Sequence, residues 1–340
     1  MKRIVELDFI KALAIMMVVI AHTSCPPLVG HMFYLIHVPL FFMVSGYTCK
    51  NDEHFCSKSS LKHFFVRRIK SLYVPFLKYV LPIVLLHNVF YKLGVYETHF
   101  TANEFIFQIC RTLLMSLGTN EPLLGQLWFL KVLFLTEIYY AAIVFLTHQI
   151  GCSKYYILTI LYILVFVLPL DNFLHLYMMN LFWPIKAMAY YNIGELLKIN
   201  YPVSSLKKTI LPFVLFVGLW VVSGSFISTS FQESIQFIAL YQLLLTIFAF
   251  YALSSFPYAS LPKWIQKKLQ ILGGGRTMGV FCLHNLVFLV VSIIYLLLSK
   301  EDLSIIAENC CIMDVPWWCF SICGILVPYL FYTFKTKCCH

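Results

Sequence analysis

Long, almost unbroken runs of aliphatic and aromatic residues recur from one end of this chain to the other, with short polar loops between them. A water-soluble core has no use for so many. In lipid a helix satisfies its own backbone amides and carbonyls, so the runs read as membrane-crossing helices. Composition agrees: 61% of the 340 residues are hydrophobic, 12% are charged, and the mean hydropathy is +0.82. The expected fold is all-α, a polytopic transmembrane helix bundle of about ten spans in a single domain over residues 1–340. The spans are placed near 8–22, 31–48, 71–91, 127–147, 155–170, 176–195, 210–226, 234–253, 278–298 and 310–334. The first is short for a crossing and is expected inside the bundle, with other helices rather than lipid around its ends.

Charge sets the expected orientation, because Lys and Arg in short loops stay on the cytoplasmic side. With the N-terminus inside, only Lys92, Arg111 and Lys300 fall in outside loops, Lys78, Lys131 and Lys186 fall within spans, and the rest of the 25 Lys and Arg are cytoplasmic. An even number of spans returns the C-terminus to the cytoplasm, so the chain is expected as a multi-pass protein of the cell membrane. The same asymmetry accounts for the net charge of +10 with no nucleic-acid partner. Glu6 and Asp8 sit where a cleaved signal peptide would be positive, which counts against that reading of the N-terminus. The twelve cysteines show no CxxC pair or zinc-type spacing, so no metal is expected, and Cys282, Cys319 and Cys323 read as small apolar residues. The longest outside loop, 92–126, carries "NEFIFQICRTLLMSLG", whose apolar residues recur at helical spacing and predict a helix lying in the interface or covering a site. "GGGRTMG", at 273–279, lacks the spacing of a nucleotide-binding loop and reads as a flexible hinge.

Within the first run, "DFIKALAIMMVVIAH" keeps an acid and a lysine at one end and a histidine at the other. Lys11 and His22 are eleven residues apart, close to three whole helical turns, so they share a face that Asp8 joins, with the imidazole about 16 Å from the ammonium. Charges facing lipid cost roughly 2.5–3.5 kcal/mol each, so this stripe must face protein or water and marks a functional site. The next run, "HVPLFFMVSGY", adds His37, Pro39 and Ser45; a proline inside a span is expected to bend it and widen a cavity near the end of helix one. "FFVRRIKSLYVPFL" then places Arg67, Arg68 and Lys70 at the start of the third span. Such a cluster is either a positive-inside anchor or a phosphate clamp. Glu137 and Lys131 lie on different faces of the fourth span, each expected to line the cavity or to pair with another helix. Trp128 fits an interfacial aromatic belt, or, with Gln126, a surface for a sugar ring.

Together these segments resemble the acyltransferase-3 family of integral membrane enzymes that O-acylate surface sugars. "KALAIMMVVIAH" is similar to its R/K-x10-H signature, "IHVPLFFMVSGY" to its second-helix block, and "RRIKSLYVPFL" to its basic third-helix motif. "QLWFLKVLF" is similar to its Trp-Phe-Leu segment and "MGVFCLHNLVF" to its late helix ending in histidine. The blocks occur in family order over nearly the whole chain. One departure is the third-helix Arg-x-x-Arg, which here is Arg67 to Lys70 or Arg68 to Ser71; lysine keeps the charge and loses the bidentate fork. The family's extracellular esterase-like extension is not expected here, so the chain reads as a stand-alone membrane unit.

The resemblance implies an acyl-CoA donor, most often acetyl-CoA, and a glycan or sugar acceptor. On that reading His22 is catalytic with Lys11 and His37 beside it. Arg67, Arg68, Lys70 and Asp8 serve the donor, and Glu137, Trp128 and Gln126 serve the acceptor. His22 could take the acceptor's proton or carry the acyl group itself. His37 could orient His22, bind the acceptor or make a packing hydrogen bond. His284 reads first as a packing residue nearer the cytoplasm. A membrane transporter of a small solute or polysaccharide precursor is the competing class, since intramembrane Asp, Lys and His also build transport pathways; no duplication of two halves is visible to support it.

Overall fold

A computed structural model describes residues 3–49, 55–115, 122–166, 179–229, 235–308 and 310–338, and its regular structure there is entirely helical. The order is α1 (Val5–Ala21), α2 (Pro27–Tyr34), α3 (His37–Tyr47), α4 (Lys58–Arg68), α5 (Val74–Leu85), α6 (His87–Lys92), α7 (Ala102–Leu113) and α8 (Trp128–Ile150). It continues with α9 (Lys154–Phe166), α10 (Met179–Asn200), α11 (Leu211–Thr229), α12 (Ile235–Ser255), α13 (Lys263–Ile271), α14 (Thr277–Ser299) and α15 (Trp317–Cys338). Every apolar run expected to be helical contains a helix; residues 167–170, 176–178 and 234 of those runs lie outside the described residues. Among the described residues three stretches are long and apolar enough to cross a membrane, Pro27–Tyr47, Leu123–Ile150 and Lys263–Ser299, and shorter apolar helices accompany them.

α1 is the axis of the bundle. Ile10, Ala12, Ala14, Ile15, Val18 and Val19 are all sealed from the surface, and the helix packs against α2, α3, α12, α13, α14 and α15. Its alanines let neighbours approach on every side, as the short first run required.

α3 and α10 cross with their backbones in contact. A Cβ on Gly46 would stand 1.8 Å from the Tyr191 carbonyl oxygen, and one on Gly194 would stand 2.0 Å from that of Met43, so only glycine permits the two backbones to touch.

The second run departs from the expected single bent helix. It breaks at Leu35–Ile36, and His37 opens a new helix in which Pro39 is the third residue. The amide a proline lacks is unpaired anyway in the first turn of a helix, so Pro39 starts α3 at no hydrogen-bond cost and the bend falls ahead of it. The third run also differs, starting at Lys58, where the Ser57 hydroxyl accepts from the Ser60 amide at 3.1 Å. It continues through a π-helical turn, Ile69–Tyr73, into α5. The basic motif therefore sits inside a helix and not in a loop.

α7 is the helix predicted in the long loop. Thr101 and Glu104 close a capping box at its start, and Ile106, Phe107 and Leu113 on its surface are exposed; 116–118 of the quoted stretch lie outside the described residues. The triple glycine forms a second π-helical turn, Leu272–Arg276, and it packs rather than standing free as a hinge would. A Cβ on Gly273 would lie 1.8 Å from the Asp8 carbonyl oxygen of α1.

Candidate active site

His22 caps the C-terminus of α1, and its Nδ1 lies 2.8 Å from the Val18 carbonyl oxygen. A carbonyl only accepts, so Nδ1 carries the hydrogen and Nε2 presents its lone pair. Two further imidazoles are held the same way. His37 Nδ1 donates to the Phe33 carbonyl, and His284 Nδ1 donates to the Val280 carbonyl at 3.1 Å. The His22 ring meets His284 edge-on at 5.3 Å between centroids and Tyr34 at 6.0 Å, and Tyr34 in turn meets His37 at 5.3 Å. The Tyr34 hydroxyl donates to the Ala21 carbonyl at 3.1 Å, which pins this aromatic bridge to the end of α1.

His22 and His37 both line a cavity of about 370 Å³, in the range of roughly 300–1,000 Å³ usual for small-molecule sites. Trp128, Gln126, Lys186 and Gln242 supply much of the rest of its wall. Trp128 packs edge-on against Trp183 at 5.1 Å, so two indoles flank this space. Gln126 is buried: Asn285 Nδ2 donates to its Oε1 at 2.6 Å, and its own Nε2 has no partner among the described residues. His284 is fully buried behind His22, its Nε2 likewise without a partner among the described residues, and not at a separate depth nearer one face as its position in the sequence suggested.

A second cavity of about 270 Å³ lies along the same stripe of α1, lined by Lys11, Ser45, Thr48 and the glycines of the π-turn. Lys11 Nζ lies 3.0 Å from Asp8 Oδ1, and Arg3 pairs with the other oxygen of that buried carboxylate. Asp8 therefore faces two cations. The stripe read from the sequence thus joins two cavities, Lys11 in one and His22 in the other.

The basic motif is placed differently. Arg68 Nε lies 2.8 Å from Glu137 Oε2, an ion contact without hydrogen-bond alignment, and the Ser45 hydroxyl donates to Glu137 Oε1 at 2.7 Å. Glu137 is 1% exposed, so three helices, α3, α4 and α8, meet on one buried carboxylate. Arg67 lies over the Phe64 ring, Lys70 is exposed, and none of the three basic residues lines either cavity. Glu137 reaches the second cavity only through Ser45.

Sequence reasoning passed over one further charged group. Lys154 Nζ lies 2.9 Å from Glu195 Oε2 and 2.7 Å from the Tyr140 hydroxyl, tying α8, α9 and α10 together in the interior. Two ionisable residues near the ends of apolar runs were the available signal. Among the described residues no group of three His, Cys, Asp or Glu side chains is arranged to hold a metal ion.

A family model described as an acyltransferase domain, that of the acyltransferase-3 family, matches residues 4–333. No curated protein and no solved structure matches the chain.

Proposed function

The chain belongs to the acyltransferase-3 family, and on that premise we propose that this integral membrane acyltransferase moves an acyl group, acetyl by preference, from acyl-CoA to a hydroxyl of a surface or exopolysaccharide sugar. The observation that carries the reading is the pair of cavities along one helix, one holding a lysine and the other an imidazole with its Nε2 lone pair uncommitted to the backbone. The second cavity is too small for a whole nucleotide. It suits the pantetheine arm, with Lys11 and the π-turn amides along it and the phosphates outside, near Arg67 and Lys70. The charge of Arg68 is already met by Glu137.

In this mechanism Trp128 and Trp183 hold the sugar ring, and His22 Nε2 takes the proton of the acceptor hydroxyl as its oxygen attacks the thioester carbonyl. The Gln126 amide donates to the oxygen on which charge develops, a role open to a buried donor with no partner among the described residues. The C–S bond then breaks, and His22 returns its proton to the departing thiolate, leaving the imidazole as it began. Direct transfer is preferred to an acyl-histidine because one base then serves both proton steps. Family membership supports transfer chemistry over the competing reading as a transporter.

Purified protein should gain heat stability from CoA or acetyl-CoA. His22→Ala should keep that protection while acyl transfer falls by at least about 10²-fold. Cells carrying the gene should show surface glycans heavier by one acyl increment than cells without it. Transfer at the wild-type rate by His22→Ala ends the mechanism.

A further inference from the structure

Phe129 of α8 and Phe281 of α14 are the two residues that line both the His22 cavity and the Lys11 cavity. Their rings meet edge-to-face at 5.3 Å between centroids, and both are buried. The two cavities therefore share one wall, a pair of phenyl rings standing between Lys11 on one side and His22 on the other. We propose that Phe129 and Phe281 form a septum across a passage joining the two cavities and set the cross-section of the acyl group able to reach His22, admitting small unbranched groups and holding back branched or aromatic ones. The acyl-selectivity part of this inference rests on the reading of the chain as an acyl-CoA-dependent transferase.

The two rings are not held alike. Phe129 is braced by Phe42 at 5.1 Å and Phe41 at 5.5 Å, both from α3, which is clamped to α10 by the Gly46 and Gly194 crossing. Phe281 follows the glycine-rich π-turn closely, and its nearest aromatic support on its own helix is His284 at 6.3 Å. The π-turn itself is packed on α1, so the motion is that of the Phe281 side chain, and Phe129 is the post it closes against. Closed, the septum keeps the site dry from one side and prevents a continuous water column from running through the bilayer. Displaced, it leaves a slot about one ring thick, filled by the arm that opened it. A carbon branching next to the thioester needs more width than a straight chain does. Selectivity of this origin is worth about tenfold or more for each added methyl-sized group.

Two measurements test this. In the first, transfer from acetyl-CoA, isobutyryl-CoA and benzoyl-CoA is compared in wild type, Phe281→Leu, Phe281→Ala and Phe129→Leu, each checked for a cooperative melt above the assay temperature. The isobutyryl-to-acetyl rate ratio should rise by about tenfold in Phe281→Ala and by less in Phe281→Leu. An unchanged ratio in folded variants overturns the selectivity claim.

The second measurement needs no donor. A thiol placed in the His22 cavity by Val38→Cys is treated, in sealed vesicles, with a charged membrane-impermeant methanethiosulfonate from one side and then the other. Labelling is read by mass on the peptide containing residue 38, because native free cysteines are also present. The thiol should react from one side alone, and from both sides once Phe129→Ala and Phe281→Ala are added. Reaction from both sides with the phenylalanines intact, or from one side alone without them, overturns the septum. Failure of wild type to use or be stabilised by any acyl-CoA, with the sided labelling as expected, would instead overturn the donor reading and leave the partition standing.

Discussion

Removing the Glu137 charge should destabilise the protein far more than removing the whole Arg68–Glu137 pair. Glu137 is 1% exposed, with Arg68 Nε at 2.8 Å and the Ser45 hydroxyl at 2.7 Å on its two oxygens. Glu137→Gln keeps the shape and strips the charge, leaving the Arg68 guanidinium, its side chain 21% exposed, without a counter-ion. Orphaning one partner of a buried pair costs about 3–5 kcal/mol, and the partial exposure of Arg68 argues for the lower end. An unfolding entropy of about 2.1 cal/mol/K per residue gives roughly 0.7 kcal/mol/K for a chain of this size, so 3 kcal/mol corresponds to a drop of about 4 °C in Tm. In the double variant Arg68→Met with Glu137→Leu the orphan is gone, and Tm should return to within about 1–2 °C of wild type. The assay is thermal unfolding in detergent followed by tryptophan fluorescence, with CoA protection measured on the same samples. If Glu137→Gln melts with wild type, or if the double variant melts no higher than the single one, the pair is not the buried counter-charge inferred from its geometry. If the double variant is stable but loses CoA protection, Arg68 serves the donor after all.

His284→Phe, which keeps a ring against His22 and removes the nitrogens, should lower kcat about tenfold with little change in donor KM, because the imidazole beside the base is lost and the cavity is not. Trp128→Ala should raise the acceptor KM by two- to tenfold, the equivalent of about 0.5–1.5 kcal/mol of aromatic contact, and leave CoA protection unchanged. Gly194→Ala should cost about 1–3 kcal/mol or prevent folding, read as loss of the monodisperse peak on size exclusion, since the added carbon would meet the Met43 carbonyl at 2.0 Å. At the start of α7 the Thr101 amide and hydroxyl hold the Glu104 carboxyl below its ordinary range. The cap is therefore intact above the unfolded carboxylate range and is lost as pH falls through the lowered folded value. Hydrogen-exchange protection of residues 102–105, corrected for intrinsic rate, should fall in acid in wild type and be already low in Glu104→Ala.

Residues whose role depends on one helix alone were readable without coordinates. The shared face of Asp8, Lys11 and His22 follows from helical period, and the burial of α1 follows from its being too short and too charged to face lipid. The helix in the long loop was visible because its apolar residues recur at helical spacing, and its capping box, Thr101 with Glu104, went unread. Roles that depend on two or more helices meeting were not. Nothing in "RRIK" says that Arg68 will find Glu137, which is far away in the chain, and the depth of His284 is set by how α14 slides along α1. The break at Leu35–Ile36 carries no residue signal of its own; Pro39 is the cue, and it marks the start of the new helix rather than the bend. The glycine stretch at 273–279 read as a hinge, and Gly273 turned out to be a contact, as Gly46 and Gly194 also are, a distinction that needs the neighbouring backbone to be known.

Where α3 and α10 meet through Gly46 and Gly194, nothing compressible lies between the two main chains. That side of the protein behaves as an anvil: it transmits force without yielding, and cargo pressed against it gains no room. Any room must come from side chains across the passage, where α14 carries Phe281. A graft or engineered variant meant to accept larger cargo should therefore be reshaped along α14 and leave the glycine seam untouched.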